Sequence, residues 1–120
     1  MRTNQIRGYI SSKLKELGYR VYYKEASNMA KFPYIVYGLK VDFLNGNCSI
    51  YDFEVNIWSN NKDISEIEDI ADQVEDLMDD EVYLDTNGLL IFDKRARDNI
   101  EDPNKDLDRV MIKFEMRYFK

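Results

Sequence analysis

Apolar positions recur along the chain first at helical spacing and then at strand spacing. Residues 4–17 carry Ile6, Ile10, Leu14 and Leu17 at intervals of 4, 4 and 3, and Gly18 follows where a left-handed C-terminal cap belongs, so an amphipathic helix is predicted. The segment RVYY at 20–23 is short, β-branched and aromatic, which predicts a brief strand. Lys31-Phe32-Pro33 introduces an extended run, PYIVYGLKVDFL, with Ile35, Tyr37, Leu39, Val41 and Phe43 on one face. Its other face passes from Tyr34 and Val36 to Lys40 and Asp42, so the first half is read as covered on both sides and the second half on one. Asn45-Gly46-Asn47 reads as a turn, after which SIYDFEVNIW alternates, with Tyr51, Phe53, Val55 and Ile57 against Asp52, Glu54 and Asn56. The two runs together predict an antiparallel hairpin.

Ser59-Asn60-Asn61 ends that strand, and Asp63 with Glu66, or Ser65 with Glu68, can form a capping box for the next helix. Ile64, Ile67, Ile70, Ala71, Val74, Leu77 and Met78 then repeat at spacings of 3, 3, 1, 3, 3 and 1, the strongest helical signal in the chain. Carboxylates near its start favour the helix dipole, whereas Asp79, Asp80 and Glu81 crowd its negative end and require a separate reason. Residues 89–95 and 110–119 predict two closing strands, the last with Val110, Ile112, Phe114, Met116 and Tyr118 on one face, joined by a long acidic loop over 98–108. The expected fold is α+β: one domain spanning 1–120, a mostly antiparallel sheet of four to five strands packed with two amphipathic helices.

Composition narrows the function more than it alters this fold. The 120 residues are 44% hydrophobic, which suits one compact core, and no apolar run approaches the roughly 18 residues of a spanning helix. The polar, periodic N-terminus lacks the apolar stretch of a signal peptide, and the expectation is a soluble, unexported protein with no membrane partner. There is no histidine and a single cysteine, Cys48, so Ser/His and Cys/His triads and multi-Cys/His zinc sites are excluded. The net charge of -6 is unevenly placed. Residues 63–81 hold ten acids and no Lys or Arg, and the remainder holds 13 acids against 17 bases, so a segment of -10 sits in a body of +4. The nearest approach to a basic footprint is Lys94, Arg95 and Arg97, which disfavours specific DNA or RNA binding.

Carboxylate clusters are the one feature able to do acid/base or metal work. Asp79, Asp80, Glu81 and Asp85 offer hard oxygen ligands, but their spacing matches no calcium loop and a solvated face is the expected role. Asp98, Glu101, Asp102, Asp106 and Asp108 read as an acidic loop, with ordering by a partner as the alternative. The five glycines are scattered and form no phosphate cradle, Cys48 has no nearby base, and no cofactor is expected. Tyr51, Phe53 and Phe114 alternate as core residues, whereas Trp58, Tyr23, Phe32 and Phe119 lie at element ends or off the core face, where large rings serve interfaces.

The order of these motifs resembles a known family. The N-terminal helix, the VYY strand, PYIVYGL at 33–39, Y-x-F-x-V-x-I-W-S at 51–59, the acid-rich helix and the closing FEMRYF strand are similar to the small tail-completion or tail-terminator proteins of long-tailed bacteriophages and prophages. That resemblance spans nearly the whole chain. It implies an α+β virion protein with no catalytic residues, located at the head–tail interface and assembled in the host cytoplasm. It further implies a homo-oligomer, a hexameric ring, partnered by the tail tube protein and the head connector protein, with DNA passing through without specific binding.

The charge pattern accords with such a ring, because a wall that repels phosphate keeps DNA from sticking during passage. Asp79, Asp80 and Glu81, or the loop with Glu101 and Asp102, are candidates for the lumen or the joint. Ring closure needs head-to-tail contact between two different patches, and Lys94, Arg95 and Arg97 meeting a neighbour's acidic helix is one such pairing, with Trp58 a further interface candidate. Two alternatives belong to other classes. One is a small acidic inhibitor or antitoxin-like module whose helix over 63–81 mimics phosphate, and the other, weaker, is a metal-dependent hydrolase built on the clustered carboxylates.

Overall fold

The computed structural model describes residues 2–45, 48–104 and 106–119, without the side chains of residues 2 and 42–45. Helix α1 (Arg2–Lys15) is followed by β1 (Arg20–Tyr23), β2 (Tyr34–Asn45), β3 (Cys48–Ser59), helix α2 (Ser65–Met78), β4 (Val82–Asp85), β5 (Gly88–Ile100) and β6 (Asp108–Phe119). The strands form one six-stranded sheet in the order β1-β2-β3-β6-β5-β4. Only the β1–β2 pair is parallel. The architecture is therefore α+β as expected, with six strands rather than four to five.

Alternation explains why both helices lie on one face. Tyr51, Phe53, Val55 and Ile57 of β3 sit opposite Met116, Phe114, Ile112 and Val110 of β6, and all eight are buried. The Phe53 and Phe114 rings stack with centroids 5.3 Å apart. Ile6, Ile10 and Leu14 of α1 and Ile67, Ile70, Ala71, Val74 and Met78 of α2 complete the same core. Each large side chain so buried contributes about 1.5–3 kcal/mol relative to exposure. Gly18 has φ +88° and the terminal turn of α1 closes through Gly18 N–H to the Lys15 carbonyl at 3.0 Å, which is the cap its position predicts.

Four expectations require correction. Strand β4 is additional to the strands the pattern predicts, because Val82-Tyr83-Leu84 lies against the acidic run; Thr86-Asn87 then turns it onto β5 at Gly88, with Asp85 Oδ1 accepting the Asn87 N–H at 2.7 Å. Strand β5 continues to Ile100 instead of ending near Arg95, so the loop runs over 101–107 rather than 98–108. A register shift between Lys94 and Ala96 turns Arg97 toward α2, and because that helix presents carboxylates there, the inward positions are basic and the apolar alternation vanishes. Neither capping box forms: Asp63 Oδ1 accepts the Ser65 N–H at 3.0 Å, while Glu66 bonds Ser59 Oγ at 3.0 Å and Asn61 Nδ2 at 3.1 Å, tying the end of β3 to the helix start. Ile64 and Val41, placed by periodicity on core faces, are exposed. Ile64 precedes the first turn of α2, and Val41 lies where β2 has outrun β1 beside a bulge. The hairpin of β2 and β3 is present, and Gly46 and Asn47 of its expected turn lie outside the described residues.

Candidate assembly surface

The polar side chains sort into three groups by element: a lattice between α2 and β5, the run 79–81, and the helix-free face of the sheet. The lattice centres on Arg97, whose guanidinium is held by Glu68, by Asp72 at 2.7 Å and by Glu75 at 3.4 Å. Lys94 adds a second cation to Glu75 at 3.5 Å. Burial disfavours the charged guanidinium, but hydrogen bonds to Asp72 and Glu68 outweigh it and the Arg97 pKa is raised. The complementarity expected between the basic patch and a neighbour's acidic helix is thus satisfied within one chain. Arg95 points to the opposite face and pairs with Glu115, which raises its pKa.

The crowding at the negative end of α2 is explained by where the carboxylates turn. Asp79 leaves the helix with ψ 132° and Asp80 adopts φ +60°, so the chain reverses within two residues. Asp79 Oδ1 then accepts the Lys94 backbone N–H at 2.9 Å, capping an edge amide of β5. Glu81 accepts the Tyr9 hydroxyl at 3.0 Å and lies 3.7 Å from Lys13, joining α1 to the start of β4. Burial and then the Glu81 carboxylate hold the Tyr9 phenol above its ordinary value. Asp80 is exposed. The four carboxylates at 79, 80, 81 and 85 therefore face different partners, and among the described residues no three acidic or cysteine side chains group as metal ligands.

The helix-free face has a charged middle and two apolar ends. Across its middle, Lys40, Asp52, Glu115 and Asp93 lie in register on β2, β3, β6 and β5, and the neighbouring acids are offset by Arg95 on Glu115 and Arg117 on Asp93 at 2.8 Å. At one end Phe32 tilts against Tyr34 at 5.1 Å, Tyr34 stacks on Trp58 at 6.4 Å, Tyr22 meets Tyr34 edge-on at 5.9 Å, and Arg109 covers Trp58 at 5.2 Å. At the other end Val82 and Leu84 of β4 lie in register with the half-buried Ile91 and Leu89.

Of the residues singled out from the sequence, Trp58 joins this aromatic end, and Lys94 and Arg97 join the lattice. Glu101 is exposed and Asp102 half-buried in the 101–107 loop, where Asp102 Oδ1 accepts the Asn104 N–H at 2.8 Å. Tyr23 packs on Tyr37 and beneath Arg7, turning to the core side, and Cys48 opens β3 half-buried. Sequence reading missed Val82 and Leu84. Their signal is a β-branched and aromatic triplet followed by Thr86-Asn87 and then Gly88, which closes a two-residue hairpin turn, and the adjoining carboxylates mask it.

Relatives place this geometry in a known class. A family model matches residues 11–118, which sets the chain among structural proteins of the bacteriophage virion. The chain belongs to the family of tail completion protein gp17. Its role is thereby a structural one in completing a tail. No curated protein matches the chain. Among solved structures, a chain described as "Virion of native gene transfer agent (GTA) particle" superposes with a TM-score of 0.74 at 17% identity, over 89% of this chain and 84% of that one. A second superposes with a TM-score of 0.72 at 13% identity, over 100% of this chain and 96% of its own. At these identities the two share the fold.

Proposed function

We propose that the chain is a tail terminator subunit that closes into a ring of about six copies, caps the tail tube and joins it to the head connector. It acts as a scaffold rather than an enzyme, as one domain, and assembles in the host cytoplasm. The observation that carries this reading is the family match across residues 11–118. The similar fold of a chain in a gene transfer agent virion supports it. Physical support comes from the outer side of α2, where Asp69 and Asp76 are exposed on a helix that carries no Lys or Arg, a surface that repels a passing polyanion. The phosphate-mimic alternative fits less well, because Arg97 and Lys94 already engage Glu68, Asp72 and Glu75 of that helix.

The test is solution mass by light scattering across a concentration series at two salt levels, alone and with purified tail tubes, with negative-stain images. The expected result is a ring of about six subunits with a central hole, alone or on the tube end. A strict monomer under both conditions overturns the reading.

A further inference from the structure

Both outer strands of the sheet, β1 and β4, are four residues long, and each leaves one side of its backbone without a strand partner among the described residues. Such edges invite pairing unless they are blunted. The outer stretch of β5 is blunted by its bulge, by Lys94 and Arg95, and by Asp79 on the Lys94 amide. Strand β4 is not: Val82 is 56% and Leu84 72% exposed. At the opposite edge the exposed apolar side chains are Val41, 47% exposed on β2, and Met29, 84% exposed in the connection after β1. Three of the five large hydrophobics exposed among the described residues thus lie on β4 or on the stretch of β2 beyond β1, and a fourth, Met29, lies in the connection between β1 and β2.

The edges also carry opposite charge. Residues 79–93 include Asp79, Asp80, Glu81, Asp85 and Asp93 and no Lys or Arg; Glu81 and Asp93 are offset by Lys13 and Arg117, which leaves Asp79, Asp80 and Asp85 as the exposed carboxylates flanking β4. Around β1 and the free part of β2, Arg20, Lys24, Lys31 and Lys40 are all exposed, against an exposed Glu25, and the sequence adds one further acid, Asp42. Pairing of β4 with β4, or of β1 with β1, brings like charges together, whereas β4 with β1 brings anion to cation.

We infer that β4 of one copy pairs with β1 of a second copy, continuing the sheet from subunit to subunit. The contact joins two different patches, so it is heterologous and propagates around a ring rather than stopping at a dimer. Strands alternate their faces, so Val82 and Leu84 meet Arg20 and Tyr22 on the helix-free side, where Tyr22 already borders Tyr34. Asp85 and Tyr83 meet Val21 and Tyr23 on the side of the helices. This inference rests on the ring reading above and specifies which surfaces make the joint.

The experiment uses the full chain with Cys48→Ser and one added cysteine, either Leu84→Cys or Tyr22→Cys, both on exposed or half-buried edge positions. The two variants are mixed and oxidised with copper phenanthroline, and assembly is followed by light scattering. Disulfide-linked dimers from the mixture, absent or several-fold weaker from either variant alone and several-fold weaker at 0.5 M NaCl than at 0.05 M, are expected, because exposed charges are screened over about 4 Å at the higher salt. Homodimers of Leu84→Cys as the main product overturn the inference. No mixed product from preparations that do form rings overturns edge pairing and leaves the ring standing. No product and no ring, alone or on tail tubes, overturns both.

Discussion

Replacing Arg97 with alanine removes the cation on which three carboxylates of α2 converge. The magnitude follows from their exposure. Asp72 is 63% exposed, so its pair with Arg97 contributes only a few tenths of a kcal/mol, whereas Glu75 is 19% exposed and Glu68 only partly so, and each contributes about 1 kcal/mol. The loss is therefore about 2 kcal/mol, to which the helix adds repulsion, since residues 63–81 carry -10 with no basic residue of their own. For a chain of this length that corresponds to a fall in melting temperature of about 8 °C. Urea unfolding of the Arg97→Ala variant, read by far-ultraviolet circular dichroism, measures it directly. Half a molar NaCl should recover about half of the loss by screening the repulsion among the exposed carboxylates. The variant Glu68→Gln should cost about 1 kcal/mol, and the double variant less than the sum, because both changes break one contact. A loss for Arg97→Ala below about 0.5 kcal/mol, or one that salt deepens, refutes the argument that intrachain pairing occupies this patch.

Two further outcomes follow from local geometry. Gly88 has φ +148° and a Cβ there would lie 2.3 Å from the Phe119 carbonyl oxygen, so Gly88→Ala should cost about 2 kcal/mol or more in the same urea titration, while Thr86→Ala at the exposed turn should be nearly neutral. Asp63 and Asp85 are both held below the ordinary carboxylate range, by the Ser65 and the Asn87 backbone N–H respectively. A lowered folded-state pKa gives stability that is present above the unfolded value near 3.9 and lost as pH falls through the folded one, so acid unfolding should steepen below about pH 4 and flatten in Asp63→Asn, Asp85→Asn.

The elements legible in the sequence are those whose partners are apolar and layered. The period of Ile67, Ile70, Val74 and Met78, and the alternation of β3 and β6, report burial against a core, and burial of a hydrophobic side chain does not depend on which neighbour supplies the surface. Polar residues lack that property. Lys94 and Arg97 occupy inward positions of β5, but they face carboxylates rather than aliphatic side chains, so the strand they belong to does not read as one. The same reason hid β4: its apolar side chains face outward and its flanks are acidic, the reverse of a buried strand.

The run Asp79-Asp80-Glu81 carries the argument one step further. In sequence the three carboxylates are equivalent, and all oppose the helix dipole. In the fold they diverge, because their partners are Lys94 N–H, solvent, and the Tyr9 hydroxyl 72 positions away. Charge along the chain counts carboxylates but cannot separate those already held by the chain from those left for others. Subtracting the held ones changes where a partner is sought. Glu68, Asp72, Glu75, Asp79, Glu81 and Asp93 drop out, together with Lys94, Arg97 and Arg117, and what remains for a partner is Asp69 and Asp76 on the outer row of α2, Asp80 and Asp85 beside β4, the exposed cations around β1, and the exposed aliphatics of the two edges. The proposed DNA-repelling surface and the proposed edge joint make different demands, and the residues that would meet them lie on different elements, the former on α2 and the latter on β1 and β4.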